Sequence, residues 1–349
     1  MTQQVMVSGA SGYLGSWVVD SLLRAGYRVH GTVRSLADSA KLAHLEQMKT
    51  QYPDQLFLFE ADLLTPGSFD AAMAGCTIVF HTASPYFLEK TKNPEQTLLR
   101  PALNGTANVI DSIERCESVR RLVLTSSVVS LYDTARSVNA KGSPLVTAAD
   151  VNTGSRLDSN PYAFSKTQAE QLAWQRQRQQ QRWSLVTLHP GGIFGPSLSR
   201  RIDGTSAKMM QQFVDGSFRQ GVPRMWLGVV DVRDVALAHL RAAEQGKDQQ
   251  RYILVAQGIR LLDLAHCLDG ERFNIADKLP SRELPKWLLW LLAPLIGMSR
   301  RDVAGNMGYP LEFDNQPSRD ELGIQYHSLA QTMNDHAAQL LQDGLVKGR

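Results

Sequence analysis

Residues 7–15 read Val-Ser-Gly-Ala-Ser-Gly-Tyr-Leu-Gly, with Gly9, Gly12 and Gly15 spaced by three. Just ahead, Gln4–Ser8 is an apolar run of strand length. Just behind, Gly12–Ala25 sets Leu14, Val18, Leu22 and Leu23 on one helical face. Glycine at a strand-to-helix junction permits a tight turn, lets a pyrophosphate approach the backbone, and brings helix and strand close together. The helix N-terminus adds unpaired N–H groups and partial positive charge. The three glycines, with Ser11, Tyr13 and Leu14 between them, are therefore candidate contacts for a dinucleotide. A glycine triplet alone is weak, because turns also use glycine for structural reasons. Its weight comes from what surrounds it.

The alternation begun here continues. Arg28–Val33, Leu56–Glu60, Thr77–His81, Arg121–Ser126 and Leu185–His189 are apolar or β-branched runs of strand length. Helical patterns over Ala40–Lys49, Ser68–Ala74, Pro94–Cys116 and Pro161–Arg182 separate them. Strands alternating with helices build a parallel sheet covered on both faces, so the predicted fold class is α/β, doubly wound. The regularity weakens after Gly195. Asp231 is a candidate N-cap for a helix reaching Glu244, and Arg251–Ala256 reads as a strand returning to the main sheet. An apolar helix is expected near Trp287–Ile296, and an amphipathic one near Ser328–Leu345. The Gln- and Arg-rich stretch Gln168–Arg182 reads as a solvated helix face.

Composition bounds the function. The 349 residues are 43% hydrophobic and 20% charged, a balance that supports a packed core and excludes global disorder. Lys plus Arg is 37 and Asp plus Glu 34, so the net charge is +3; with no basic cluster, nothing points to nucleic acid. Cys76, Cys116 and Cys267 fit no zinc or redox spacing and read as buried thiols of a reducing compartment. The opening MTQQVMVSGA lacks the pattern of a signal peptide. The apolar run from Leu284 to Met298 contains Pro285 and Pro294 and falls short of the ~20 residues that span a bilayer. The expectation is a cytoplasmic protein, monomer or homodimer, with no membrane span.

Two further features carry chemistry. The second strand ends Gly31-Thr32-Val33-Arg34-Ser35, without the carboxylate that accepts hydrogen bonds from a ribose 2′-hydroxyl. Arg34 can instead pair with a 2′-phosphate, and Lys41 is close enough to add charge. Asp62, after the third strand, is a plausible adenine contact or a cap for the next helix. The fifth strand ends Leu124-Thr125-Ser126-Ser127, and a long helix opens Pro161-Tyr162-Ala163-Phe164-Ser165-Lys166. Tyr162 and Lys166 are i and i+4, on one helical face. An ammonium beside a phenol favours the phenolate and tunes it as a general acid or base, while a serine hydroxyl can hold the substrate oxygen.

Together these motifs resemble the extended short-chain dehydrogenase/reductases, in the branch of dihydroflavonol 4-reductases, cinnamoyl-CoA reductases and microbial carbonyl or aldehyde reductases. The resemblance runs over most of residues 4–260. It is carried by VSGASGYLGSWVV (7–19), GTVRS (31–35), ADLLTPGSFDAAMAGC (61–76), FHTASP (80–85), NGTANVI (104–110), LTSSV (124–128), YAFSKTQAE (162–170) and VDVRDVALAH (230–239). It implies an NADP-binding Rossmann domain over residues 1–194, joined by the strand near 251–256. An interleaved C-terminal lobe, mainly residues 195–349, would bind substrate. It also implies NADPH-dependent interconversion of a small-molecule carbonyl and its alcohol. Ser127 matches the substrate-oxygen serine, Tyr162 the proton donor, and Lys166 its partner, which also holds the nicotinamide ribose. Arg34 and Lys41 match the 2′-phosphate pair, and Asp62 and Leu63 the adenine side. Thr82, Ala83 and Ser84 line the cofactor, and Pro190 to Ile193 pass the nicotinamide amide. Asn104 matches a helix position that supports a proton relay in related reductases; read without that resemblance, it is an ordinary helix residue.

The helix opening Asn160-Pro161-Tyr162 departs from the Asn-Trp-Tyr-Cys-Tyr pattern of the CoA-ester reductases, which counts against that substrate class. Segment 143–159 is divergent and, with the last ninety residues, is expected to shape the pocket. Tyr86, Phe87, Met209, Trp226 and the Trp287–Ile296 helix supply apolar surface for it, although such residues also serve as core. That helix could equally be a lid, a dimer contact or a membrane-surface patch. The competing readings are a nucleotide-sugar epimerase or dehydratase of the same fold, and a cofactor-sensing protein without chemistry. The first predicts an acidic residue ending the second strand, where Arg34 stands. The second need not keep Ser127, Tyr162 and Lys166 together.

Overall fold

The computed structural model describes residues 2–84, 93–199, 204–295 and 298–346. Chain order begins β1 (Gln4–Ser8), α1 (Tyr13–Arg24), β2 (Arg28–Val33), α2 (Ser39–Gln51), β3 (Leu56–Glu60), α3 (Asp70–Met73), β4 (Ile78–His81), α4 (Arg100–Arg115) and β5 (Arg121–Thr125). It continues through α5 (Ala135–Asn139), β6 (Leu145–Val146), α6 (Pro161–Gln177), β7 (Ser184–Pro190), β8 (Gly192–Phe194), α7 (Thr205–Asp215), β9 (Val222–Pro223), β10 (Trp226–Asp231) and α8 (Val232–Glu244). The remainder is β11 (Arg251–Leu254), β12 (Gln257–Arg260), α9 (Leu261–Ala265), β13 (Glu283–Leu284), α10 (Lys286–Leu292), α11 (Arg300–Asn306), β14 (Glu312–Phe313), α12 (Gln316–Asp320) and α13 (Leu329–Gln342).

Seven of these strands form one parallel sheet in the order β11-β7-β5-β4-β1-β2-β3. This is the doubly wound Rossmann arrangement that the alternating pattern predicts, including the return of β11 to the sheet. Val5, Val7, Phe80 and Val123 face one apolar layer with α1 and α8; Met6, Val79, Leu122 and Leu124 face the other with α3, α4 and α6. Burying each such side chain stabilises the fold by about 1.5–3 kcal/mol. The chain climbs from β1 to β3, then crosses back to place β4 on the other side of β1. Ligands bind at such reversals, beyond the carboxyl ends of the strands. Here those ends are Ser8 and His81, paired in register.

A three-stranded sheet, β12-β10-β8, stands beside the main one, and its core is shared with α7, α9 and α13. Residues 192–194, ahead of Gly195, thus pair with β10 rather than with the seven strands. Asp231 caps α8 as its position implies, accepting the Arg233 N–H (2.8 Å), and it also accepts the Thr332 hydroxyl of α13 (2.8 Å). Among the described residues no helix is long and apolar enough to cross a membrane.

Three expectations need correction. Cys76 is buried, but Cys116, at the end of α4, and Cys267, just after α9, are half-buried where their helices stop. The helix begun at Pro161 stops at Gln177, short of Arg182. Gln180 Oε1 accepts the N–H groups of Arg182 (2.7 Å) and Trp183 (3.0 Å), turning the chain into β7. Nor is Gln168–Arg182 simply a solvated face. Arg176 reaches Asp111 and Glu114 on α4, and Arg182 donates to the carbonyls of Ile113, Glu114, Cys116 and Val119. These arginines close the gap between α4 and α6 at the lower end of the sheet.

The second sheet meets the 309–314 segment without room for a side chain: a Cβ on Gly258 would stand 2.1 Å from the Leu311 carbonyl oxygen. Gly258→Ala is therefore expected to lower the unfolding free energy by about 1–3 kcal/mol, as overpacking does. Urea denaturation checks this, and an unchanged midpoint would refute the contact.

Candidate active site

The turn after β1 is built on absent side chains. Gly9 takes φ +70°, and a Cβ on Gly15 would stand 2.2 Å from the Gly9 carbonyl oxygen. The Gly12 N–H donates to that oxygen (2.9 Å). From the other side, a Cβ on Gly9 would come within 3.0 Å of Ala83 Cα, so the loop after β4 presses on the turn. Gly12 is the N-cap of α1 and has no side chain to satisfy the first-turn N–H groups, which face the crevice as an anion site. Thr82 Oγ1 donates to the Ser8 carbonyl (2.6 Å), and Ser8 Oγ accepts the Ala83 N–H (3.1 Å) and lies 2.7 Å from His81 Nδ1. Burial, helped by the charge of Lys166, lowers the His81 pKa to about 3 and keeps it neutral. Tyr13 contributes to the cradle through its backbone only: its hydroxyl donates to the Gly195 carbonyl (2.7 Å).

Arg34, at the end of β2, is exposed and makes no ion pair among the described residues. Lys41, expected to add a second charge, sits 2.5 Å from Asp38, the residue that caps α2. A capping carboxylate three residues earlier reaches the lysine as naturally as the helix N–H, so Lys41 offers a partnered charge. Asp62, expected beside the adenine, accepts the Leu64 N–H at Oδ1 (2.7 Å), which closes a local turn instead of capping α3. Asn108 of α4 holds the same loop: it donates to the carbonyls of Leu63 (3.3 Å) and Thr65 (2.5 Å) and accepts the Gly67 N–H (3.1 Å).

Asn160 starts α6 by accepting the Ala163 N–H (3.1 Å), with Pro161 at the first position, where its missing N–H costs nothing. That start places Tyr162 and Lys166 one turn apart. Lys166 Nζ donates to the Thr125 carbonyl at the end of β5 (3.3 Å). Two residues on, Ser127 caps the short turn Val128–Ser130, which packs against α6. Thr125 Oγ1 lies 2.7 Å from His239 Nε2, and His239 Nδ1 lies 2.7 Å from the Val235 carbonyl. A carbonyl only accepts, so Nδ1 carries the proton and the Thr125 hydroxyl donates to Nε2. Burial lowers the Lys166 pKa to about 8, an effect partly opposed by the Glu170 carboxylate.

A family profile described as the NAD dependent epimerase/dehydratase family matches residues 5–256. The chain belongs to that family. Tetraketide alpha-pyrone reductase 1 of Arabidopsis thaliana is 34% identical over 345 residues, covering 98% of this chain and 97% of that protein. Cinnamoyl-CoA reductase CAD2 of Medicago truncatula is 36% identical over 292 residues, covering 81% of this chain and 82% of that one. Among solved structures, Gre2 from Candida albicans in complex with NADPH is similar with a TM-score of 0.78 at 27% identity, over 98% of this chain and 99% of that one. The extended short-chain dehydrogenase/reductase resemblance read from the motifs is borne out by these matches.

Within this family framework some expected site residues move. Asn104 is exposed on α4, outside the buried arc of Gly105, Val109 and Ile113. Its family-derived place in a proton relay has no support in this geometry. Asn108, one turn later and roughly 40° further round, is the buried asparagine. Pro190 ends β7, and Ile193 pairs with Val230 in the second sheet. Trp226 packs with Tyr132 and Phe313 on the cluster of Val128 and Leu131, beside the Ser127 turn, whereas Met209 packs on the separate core of the second sheet. Tyr86, Phe87 and Ile296 lie outside the described residues. Trp287, Trp290, Leu291 and Leu295 of the apolar segment are exposed. His81, Asn108, Glu170 and His239 carried no role in the sequence reading, because each has a partner from a distant part of the chain. Among the described residues no three His, Cys, Asp or Glu side chains gather to hold a metal.

The glycine cradle fits a dinucleotide pyrophosphate: its open N–H groups and missing Cβ atoms are what such a group needs. Gly15→Ala should push the Gly9 carbonyl out of place and weaken dinucleotide binding by roughly tenfold or more. Fluorescence titration with NADPH measures this, and unaltered affinity would show that the cradle does not hold the pyrophosphate.

Proposed function

We propose that the protein is an NADPH-dependent reductase that converts an aldehyde or ketone to its alcohol, reversibly. The observation that carries this reading is the arrangement of a glycine cradle, an arginine just after β2 with no ion pair among the described residues, and Tyr162 and Lys166 one turn apart beside the end of β5. When bound, NADPH supplies a hydride from the nicotinamide C4. The protein supplies the proton and the electrostatics. The Tyr162 hydroxyl donates to the carbonyl oxygen as negative charge gathers there, and the Ser127 hydroxyl holds that oxygen. The Lys166 ammonium lowers the cost of the phenolate left behind. With a pKa of about 8 it is still charged at neutral pH.

The reductase names among the relatives support carbonyl reduction, and the NADPH held by Gre2 supports that cofactor. The aromatic cluster beside the Ser127 turn suits a substrate with an aryl or alkyl arm. The Asn160-Pro161-Tyr162 opening favours a compact carbonyl compound over a CoA ester. A screen of NADPH oxidation with aryl aldehydes, ketones, diketones and ketoesters identifies the class.

Tyr162→Phe is expected to lower kcat by about 10²–10⁴-fold, with NADPH affinity retained because the ring still packs. Wild-type turnover in this variant would overturn the proton-donor assignment. Arg34→Glu is expected to raise the KM for NADPH by roughly ten- to hundredfold, the value of one charge-assisted contact, and to leave NADH almost unaffected. High salt should weaken NADPH more than NADH, since an exposed phosphate site is screened. Equal wild-type efficiency with both cofactors would refute the role of Arg34.

A further inference from the structure

Tyr162, Lys166 and Glu170 follow one another along α6 at intervals of four, and the third member is the most enclosed. The Glu170 side chain is 4% exposed, yet it meets donors from three other places in the fold and from its own helix. Its Oε2 accepts from Ser126 Oγ (2.5 Å), Ser130 Oγ (2.7 Å) and His189 Nε2 (2.9 Å). Its Oε1 accepts from Arg251 Nε (2.9 Å) and from Trp174 Nε1 (3.2 Å). A buried carboxylate with this many donors is fully satisfied and rigid. Burial alone would push its pKa up, but His189, Arg251 and the Ser126 hydroxyl together hold it well below the usual range.

The serines it holds flank the candidate substrate-oxygen serine. Ser130 Oγ also lies 2.8 Å from the Ser127 carbonyl, its one proton shared between that oxygen and the carboxylate, so Glu170 holds both ends of the 126–130 turn and, through Ser130, the backbone of Ser127. Glu170 and Lys166 also line one small cavity of about 20 Å³, together with His81, Thr125 and Ser126. The charged and titratable groups facing this pair are Tyr162 on α6, His81 on β4, His189 on β7 and Arg251 on β11. His81 is neutral. Glu170 is thus the carboxylate that opposes both Lys166 and Arg251 among these groups.

We propose that Glu170 is a positioning residue of the reductase site, fixing Ser127 through Ser126 and Ser130 and keeping the Lys166 ammonium charged through its own negative charge. The proposal rests on the Ser127–Tyr162–Lys166 reading above and adds a fourth member that touches neither substrate nor cofactor. Removing the carboxylate charge would leave the enclosed Lys166 ammonium without the negative charge that favours it, so the lysine would lose its proton at lower pH. The alkaline limb of kcat/KM would move down with it.

The test uses full-length Glu170→Gln, Glu170→Asp and Ser130→Ala, with Tyr162→Phe as reference. Reduction is followed from pH 6 to 10, NADPH affinity by fluorescence, and folding by circular dichroism. Glu170→Gln should lower kcat roughly tenfold or more at pH 7, change NADPH affinity by less than about threefold, and move the alkaline limb to lower pH by about half a unit or more. Glu170→Asp keeps the charge and should keep the limb near its wild-type position. Ser130→Ala should lower kcat severalfold with the limb unmoved. A folded Glu170→Gln with wild-type kcat and an unmoved limb overturns the proposal, as does a loss of kcat with the limb unmoved. If Glu170→Gln does not fold, wild-type kcat in Ser130→Ala overturns it. An inactive Tyr162→Phe beside an unaffected Glu170→Gln refutes this inference alone; an active Tyr162→Phe refutes the reading beneath it as well.

Discussion

The contact between the first turn of α1 and the carbonyl of Gly9 governs the rest of the molecule. With 2.2 Å between that oxygen and the place of a Cβ on Gly15, only a bare backbone fits. The approach sets the direction of α1, and its N-terminus then faces the crevice where the strand order reverses. The same helix carries Tyr13 and Trp17, whose polar ends donate to the carbonyls of Gly195 (2.7 Å) and Pro196 (2.8 Å). Gly195 in turn donates to His336 Nδ1 on α13 (3.2 Å). The glycine turn and the C-terminal helix are therefore held by one rigid rod. A displacement of α1 would be felt in both.

On the far side of the crevice, polar groups do what apolar contacts do elsewhere. Glu170, Ser126, Ser130 and His189 are buried, and Arg251 joins them from the last strand of the main sheet. Such a network adds little net stability per hydrogen bond, about 1 kcal/mol, but losing one partner exposes the full desolvation cost of the others. It therefore specifies one arrangement of the Ser127 turn more strongly than it stabilises it. Arg251 further donates to the carbonyls of Ala148 (2.6 Å) and Asp150 (2.8 Å), so the divergent segment 143–159 is tied to the same point.

Local patterns carried much of this into the sequence. Strand-length apolar runs, glycines at a junction, a carboxylate missing after β2, and tyrosine and lysine four apart are all short-range signals, and the fold obeys them. The features that escaped are those whose meaning depends on distant partners. Glu170 stands in the quoted motif YAFSKTQAE, but its donors lie on the turn after β5, on β7 and on β11. Asn104 and Asn108 are the same residue type on one helix, and only the tilt of α4 toward the loop after β3 decides which is buried. Lys41 reads as a free cation until Asp38 takes the capping position beside it. Helix ends were misplaced where a side chain, Gln180, turns the chain.

The return of β11 to the main sheet also has a consequence for biosynthesis. Strand β7 is paired with β5 on one edge, and its other edge waits for residues 251–254. As the chain leaves the ribosome, six strands can assemble before the seventh exists. At about 5–20 residues per second, the interval from Pro190 to Leu254 lasts roughly 3–13 s. Throughout it the nascent protein presents an open, parallel strand edge of the kind that recruits other chains. The α7–α8 insertion thus has a cost in time, and the crowded moment of synthesis falls after the nucleotide half is built and before it is sealed.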